Sequence, residues 1–403
     1  MKVLYVNVCI TDYSHPLLNK LAAKGCEMVV LLPQKGDEIV GKNVHLSEQQ
    51  DTLYRICYSR SKKMWYGKHA LLDLKKMLQQ EKPSILVMGY PYFLHLFFDR
   101  AIMRLLKQQQ TRLMIREIPF QTPSFRKIKS YFSQNPLFNE NMELKSVGIK
   151  FYIRQWFLMY IRKYVYSKVD ATLNYHTGAF DILPSYGMDR KHIYVTYNST
   201  DTEALITARD VVRDAPKLLP LSAHRLLHIG RLVKWKRVDL LIDAVKKLLP
   251  SFPFIQLVII GNGPEEEILK RQVKERELAD NVLFVGGVYD PNVLGAYMNE
   301  SSVYVLAGMG GLSINDAMTY GLPIICSVCD GTERDLVEDG KNGFFFQQGN
   351  VTDLAKKIEQ LLSSPERCKQ MGKASERIIT DKINIETVSE RYYQAFKEVI
   401  EAK

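Results

Sequence analysis

Leu226-Leu227-His228-Ile229-Gly230-Arg231, Val258-Ile259-Ile260-Gly261-Asn262-Gly263, Leu283-Phe284-Val285-Gly286-Gly287 and Tyr304-Val305-Leu306-Ala307-Gly308-Met309-Gly310-Gly311 are four short apolar runs, each ending in a glycine turn. Apolar runs of this length, separated by helical stretches, imply strands of a parallel sheet covered on both faces. Between the first two, Leu240, Leu241, Ala244, Val245 and Leu248 recur at helix spacing, the apolar face of a crossover helix. Glycine at a strand's end lets backbone N–H groups come close to a phosphate. Arg231 and Lys236 follow the first turn and add two positive charges. This pattern points to a nucleotide site.

The same alternation recurs earlier in the chain. Residues 2–10, 27–32, 84–89 and 112–116 read as strands, with helical periodicity between them, as from Phe93 to Lys107. The 403 residues are too many for one comfortable core and suit two domains. The stretch 201–223 is polar and broken by Pro216 and Pro220, so it is the expected boundary. The expected architecture is α/β: two Rossmann-like doubly wound domains facing each other across a cleft. Residues 1–200 form the first, 201–223 the linker, 224–383 the second, and 384–403 a closing helix. In such domains ligands bind beyond the carboxyl ends of the strands.

Hydrophobic residues at 46% and charged ones at 25% exclude a disordered or fibrous chain. No window offers the roughly 18 uncharged apolar residues of a spanning helix. The charge is lopsided, with 29 Lys and Arg against 15 Asp and Glu in residues 1–200 but 26 against 29 thereafter. The first half is therefore expected to face something anionic. Met1 to Val8 reads as a first strand rather than a signal peptide. The six cysteines, mostly single in apolar runs, fit a reducing compartment. Cys326-x-x-Cys329 lacks a second ligand pair at zinc spacing and reads as buried thiols.

Gly310-Gly311 precedes a helix start at Ser313-Ile314-Asn315-Asp316, a variant of the capping box. There Asp316 could accept bonds from a sugar's vicinal hydroxyls, or merely complement the helix dipole. The chain has no P-loop, His-Glu-x-x-His, Gly-x-Ser-x-Gly or Asp-x-Asp motif. A diphosphate would have to be neutralised by Arg, Lys and helix dipole, without a metal.

Taken in order, these motifs resemble the GT-B-fold retaining glycosyltransferases of family 4, many of which build bacterial surface polysaccharides. The resemblance runs through Gly230-Arg231-Leu232-Val233 with Lys236, Gly261 to Pro264, Asn281 to Gly286, Gly311-Leu312-Ser313 to Met318, Gly321-Leu322-Pro323 and Val337 to Gly343. It implies a nucleotide-activated sugar, linked to UDP or GDP, as donor substrate and no cofactor. Arg231 and Lys236 would contact its diphosphate, beside Gly230 and Gly263. Gly310, Gly311 and Leu312 would support the distal phosphate or sugar, Asp316 the ribose, and Gly286 the base. Two departures stand out. Where the family has a pair of glutamates, this chain has Gly308 and Asp316, and the usual Gly-Gly turn after the first strand is Thr11-Asp12-Tyr13-Ser14-His15. His15 could reach the donor or be an ordinary helix-start histidine.

The first domain is expected to hold the acceptor, a glycan or an undecaprenyl-diphosphate-linked glycan. Glu117, at a strand's end, could orient or deprotonate its hydroxyl; the structural reading is a salt bridge to Arg116 or Arg126. On the span 149–164, Ile149, Ile153, Trp156, Phe157, Tyr160 and Tyr164 share one helical face flanked by basic residues. This suits an anionic bilayer surface, although a core helix, with the preceding loop as membrane contact, is the plainer reading. The expected location is cytoplasmic, peripheral on the inner face of the membrane. A sugar-nucleotide epimerase of the same fold and a non-catalytic phosphate-binding module remain alternatives. Without a binding motif, nucleic acid is not an expected partner.

Overall fold

A strand buried on both faces needs partners on both edges and helices above and below, and apolar runs such as Gln256–Ile260 form that kind of strand. The computed structural model describes residues 1–34, 51–117, 122–135, 137–139, 142–328 and 331–402. They divide into two units. One comprises Met1–Leu137, Leu144–Asn198 and Ile385–Lys403, the other Phe138–Glu143 and Ser199–Asn384.

The first unit contains β1 (Lys2–Val6), β2 (Glu27–Pro33), β3 (Arg55–Ser59), the hairpin strands β4 (Ser61–Lys63) and β5 (His69–Leu71), then β6 (Ile85–Gly89), β7 (Arg112–Glu117), β8 (Ala171–Asn174) and β9 (Ile193–Val195). Its main sheet is parallel, in the order β3-β2-β1-β6-β7-β8-β9. The second unit contains β10 (Arg225–Ile229), β11 (Gln256–Ile260), β12 (Val282–Gly286), β13 (Val303–Leu306), β14 (Ile324–Cys326) and β15 (Gly343–Phe345). They form a parallel sheet in the order β12-β11-β10-β13-β14-β15. In each sheet the chain runs outward from a central strand, then returns to its other side. This is the doubly wound Rossmann order, whose switch points lie at β1/β6 and β10/β13. The expected α/β class of two Rossmann-like domains is the observed one.

The crossover helix Val238–Leu248 forms as its spacing requires and buries Val238, Leu240, Leu241, Ile242, Ala244, Val245 and Leu248. Removing such side chains from water contributes about 1.5–3 kcal/mol each. Three local expectations differ from the structure. The first strand stops at Val6, because Asn7 turns its side chain onto the Val8 N–H. The helical run from Phe93 to Lys107 divides into a 3-10 turn, Tyr92–Phe97, and a helix, Arg100–Gln109; Asp99 separates them by accepting from the amides of Ala101 and Ile102. The stretch 201–223 contains a helix, Thr202–Arg213, capped by Asp201, which buries Thr202, Leu205, Ala208 and Val212 in the second unit. Its polar outer face hid it, and Pro216 and Pro220 come only after it ends.

Candidate functional site

The switch point of the second sheet lies beyond the carboxyl ends of β10 and β13, and the Gly230 and Gly308–Gly311 turns occupy those ends. Their neighbours are laced to them by backbone bonds. Gly230 N–H donates to Ile260 O at 2.9 Å, Leu232 N–H to Asn262 O at 3.0 Å, and Gly261 N–H to Gly286 O at 2.8 Å. This close approach requires glycine. A Cβ on Gly261, whose φ is +138°, would lie 2.0 Å from Gly230 O, and one on Gly263 2.2 Å from Leu232 O. Gly263 thus supports the Arg231 loop, and Gly286, at φ +83°, turns the chain beside Asn262.

Lys236 is the hub. It is 7% exposed, and its ammonium donates to Met309 O at 2.9 Å and Gly310 O at 2.7 Å, so it ties the β10 turn to the β13 turn. The side chain lies over Gly230, where a Cβ would meet Lys236 Cε at 3.6 Å. Beneath it, His228 donates from Nδ1 to Val305 O at 3.0 Å. Burial, reinforced by the Lys236 charge, pushes this imidazole down to about 4, so it is neutral. Arg231 is half-buried, with its guanidinium 5.7 Å from the Trp235 ring centroid.

Gly308 explains the missing first carboxylate. A Cβ there would lie 2.2 Å from Trp235 O and 2.4 Å from the Lys236 carbonyl carbon, while the Met309 N–H donates to Trp235 O at 2.8 Å. The loop is packed backbone to backbone and has no room for any side chain at this position.

The anticipated capping box does not form. Ser313 is already helical and Leu312 is the cap residue, without a side-chain bond. The Ser313 hydroxyl instead accepts from Tyr304 at 2.6 Å; the same phenol lies 3.3 Å from Ile229 O, so Tyr304 joins the ends of β10 and β13 to this helix. The sequence does not signal this role, because one buried tyrosine on a strand reads as core.

Asp316 lies in the first turn of the helix Ser313–Thr319, with Oδ1 buried and without a partner among the described residues. Burial pushes its carboxyl up to about 6, against an opposing pull from the Thr200 hydroxyl. The folded value exceeds the ordinary 3.8, so the folded state binds the extra proton and stability falls as pH rises from about 4 to 6. Asp316→Asn should therefore raise Tm at pH 7.5, flatten that pH dependence, and weaken nucleotide-sugar binding. Thermal melts across pH with and without UDP-glucose check this. A variant that melts lower at pH 7.5 and binds normally would reverse the assignment.

Two residues of the first unit take structural positions. Glu117, expected at an accessible strand end, is 5% exposed. Oε2 accepts from Tyr166 Oη, and Oε1 lies 3.6 Å from Arg162 Nε. Its partners are these two residues of the helix Ile149–Tyr166, and not Arg116 or Arg126. Burial raises its pKa, and the Arg162 charge pulls it back. His15 lies in the first turn of the helix Ser14–Ala23. Nδ1 is 2.7 Å from Tyr54 Oη and Nε2 is 3.3 Å from Asn19 Nδ2. Cys329 lies outside the described residues.

Residues 214–378 match the family model of glycosyl transferases group 1. The matched segment spans β10 to β15 and all the glycine turns above. An uncharacterized glycosyltransferase of Haemophilus influenzae is 32% identical over 179 residues, 44% of this chain and 50% of that protein. The poly(ribitol-phosphate) alpha-N-acetylglucosaminyltransferase of Staphylococcus aureus is 27% identical over 203 residues, 49% of this chain and 41% of its own. The matched regions thus span half or less of these curated relatives. Among solved structures, Anabaena HepE in complex with UDP aligns with a TM-score of 0.67 over 99% of this chain and 100% of its own. At 15% identity this is a likeness of fold.

Proposed function

We propose that this chain is a glycosyltransferase that moves a sugar from a UDP- or GDP-linked donor to a hydroxyl of a glycan or lipid-linked glycan, as family 4 enzymes of surface polysaccharide synthesis do. The observation that carries the reading is the junction of Arg231, Lys236 and the Gly308–Ser313 turn at the switch point of the group 1 segment's sheet. It places a guanidinium, an ammonium and a glycine-rich helix start where such folds bind ligands. The UDP in HepE and the sugar transfer named for the Staphylococcus protein support it.

The reaction retains configuration. The glycosidic bond to the diphosphate breaks through an oxocarbenium-like transition state, and the departing diphosphate takes the proton of the acceptor hydroxyl on the same face. The protein stabilises the charge on that leaving group, with Arg231 as a forked donor and Lys236 as a point charge, and no metal is required. A panel of nucleotide sugars tested by thermal shift should show one or two that raise Tm, and the best should release nucleoside diphosphate when an acceptor is added, in EDTA. Release without acceptor, with isomerised sugar, would instead indicate an epimerase.

An anionic membrane surface is the proposed partner of the first unit, with the protein acting on the inner face of the membrane. The helix Ile149–Tyr166 is not wholly packed into the core. Leu158, Met159, Ile161, Val165 and Tyr166 are buried, while Ile149 (77%), Ile153 (63%), Phe157 and Tyr160 are exposed. Trp65, 77% exposed on the β4–β5 hairpin, has its ring centroid 5.9 Å from that of Phe157, and exposed Lys62, Lys63, Lys150 and Arg154 lie on the same hairpin and helix. Aromatic and aliphatic tips within a basic rim suit a phospholipid interface. Among the described residues no helix is long and apolar enough to cross a membrane. Flotation with phosphatidylglycerol vesicles should carry the protein, and Trp65→Ser with Ile153→Ser should release it. Undiminished flotation of that variant would remove this surface from the account.

A further inference from the structure

A charged side chain drawn into a fold is nearly always paired, and Arg116 has no carboxylate partner among the described residues. It lies on β7 beside Gly89 of β6, at the carboxyl edge of the first sheet. Its side chain passes over Gly89, where a Cβ would be 3.8 Å from Nη2, and it donates to Asn7 Oδ1 at 3.0 Å beyond the end of β1. The guanidinium therefore spans the switch point between β1 and β6. Its carbon is 5.2 Å from the Tyr5 ring centroid and 5.8 Å from that of Tyr175.

Burial works against this charge. The titratable groups that act on it are the phenols of Tyr175, Tyr5, Tyr392 and Tyr13, neutral at physiological pH, with no Asp or Glu among them. Aromatic faces attract the cation but accept none of its in-plane protons. Of five N–H donors, the fork uses one on Asn7, its hydrogen-bond acceptor among the described residues. A flat, pre-oriented guanidinium with donors to spare and no carboxylate partner among the described residues is built to take two oxygens of an oxyanion. Arg116 is half-buried, so a ligand has access.

We propose that Arg116 is an oxyanion receptor at the carboxyl edge of the first sheet and holds a phosphate or carboxylate of the acceptor. That the anion belongs to an acceptor rests on the sugar-transfer reading; that an oxyanion binds here does not.

Cys9 provides a local reporter. It is a half-buried free thiol whose pKa burial pushes up and Arg116 pulls back. Iodoacetamide labelling of the full-length protein would be followed by mass spectrometry at Cys9, with Cys57 and Cys368 as internal references. Inorganic phosphate, malonate and chloride would be compared at equal ionic strength. Phosphate or malonate should slow Cys9 labelling saturably by roughly fivefold or more, as expected for a charge-assisted bidentate pair, and leave the other two cysteines unchanged. Arg116→Gln should abolish the protection and Arg116→Lys weaken it. Protection by phosphate alone indicates a phosphorylated acceptor, and by malonate alone a carboxylated one. Equal labelling of wild-type Cys9 in all three salts overturns the proposal even if the variants fail to fold, as does unchanged protection in Arg116→Gln. Stabilisation by nucleotide sugar, measured on the same samples, reports on the second unit, so its absence would count against the transferase reading and not against this site.

Discussion

Lys236→Met is expected to lower turnover by roughly 10²–10³-fold, the range for removing one preorganised donor from a developing negative charge, while the circular dichroism spectrum stays native. The effect has two sources. The substitution removes positive charge at the switch point, and it orphans the carbonyls of Met309 and Gly310 that the ammonium holds at 2.9 and 2.7 Å. Lys236→Arg should not restore activity. The residue is 7% exposed, Gly230 lies beneath its Cε, and a Cβ on Gly311 would already be 3.1 Å from Nζ, so the larger fork has no room. Steady-state kinetics with the best nucleotide sugar would measure this. Turnover within threefold of wild type in Lys236→Met would remove the residue from the chemistry.

Gly308→Glu gives the second large effect, in the direction opposite to what the family resemblance suggests. Introducing the carboxylate that the family resemblance implies at this position should not improve donor binding; it should abolish it. The new Cβ would meet the Trp235 and Lys236 backbone at 2.2–2.6 Å, and backbone cannot rotate away as a side chain does. Even Gly308→Ala should cost about 1–3 kcal/mol as an overpacked contact, a fall in Tm of roughly 2–10 °C for a domain of this size. Gly311→Ala is the milder comparison. Its Cβ would lie 3.1 Å from Lys236 Nζ and 3.9 Å from Ser313 Oγ, side-chain atoms rather than backbone, so melting should fall less than in Gly308→Ala. Scanning calorimetry and nucleotide titration of the three variants would test this. Tighter donor binding in Gly308→Glu would mean that the packing between the β10 and β13 turns is not as described.

The contrast between these positions shows what could be read before the structure. The strands of the second sheet were legible because burial on both faces makes them unbroken apolar runs, and their glycine ends placed the turns at the switch point. The helix Val238–Leu248 was legible from its own spacing. The helix Thr202–Arg213 was missed because its core contact rests on Leu205, Ala208 and Val212 amid polar residues. The side-chain partners that could not be read were set by distant residues. Glu117 is taken by Tyr166, 49 residues on, His15 by Tyr54, 39 residues on, and the Ser313 hydroxyl by Tyr304 from the neighbouring strand. A motif specifies which groups a residue offers, but not which of them the fold has already used. For the same reason, Gly308 reads as a lost carboxylate in the sequence and as a packing requirement in the structure.

The central claim is that a diphosphate is held by Arg231, Lys236 and the Gly310–Leu312 backbone without a divalent ion. A crystal structure of the protein with UDP, grown in EDTA, tests it most directly. Both phosphates should lie within hydrogen-bonding distance of these groups, with the ribose hydroxyls at Asp316. UDP bound away from the β10 and β13 turns, or bound there only when magnesium or manganese is supplied, would contradict it.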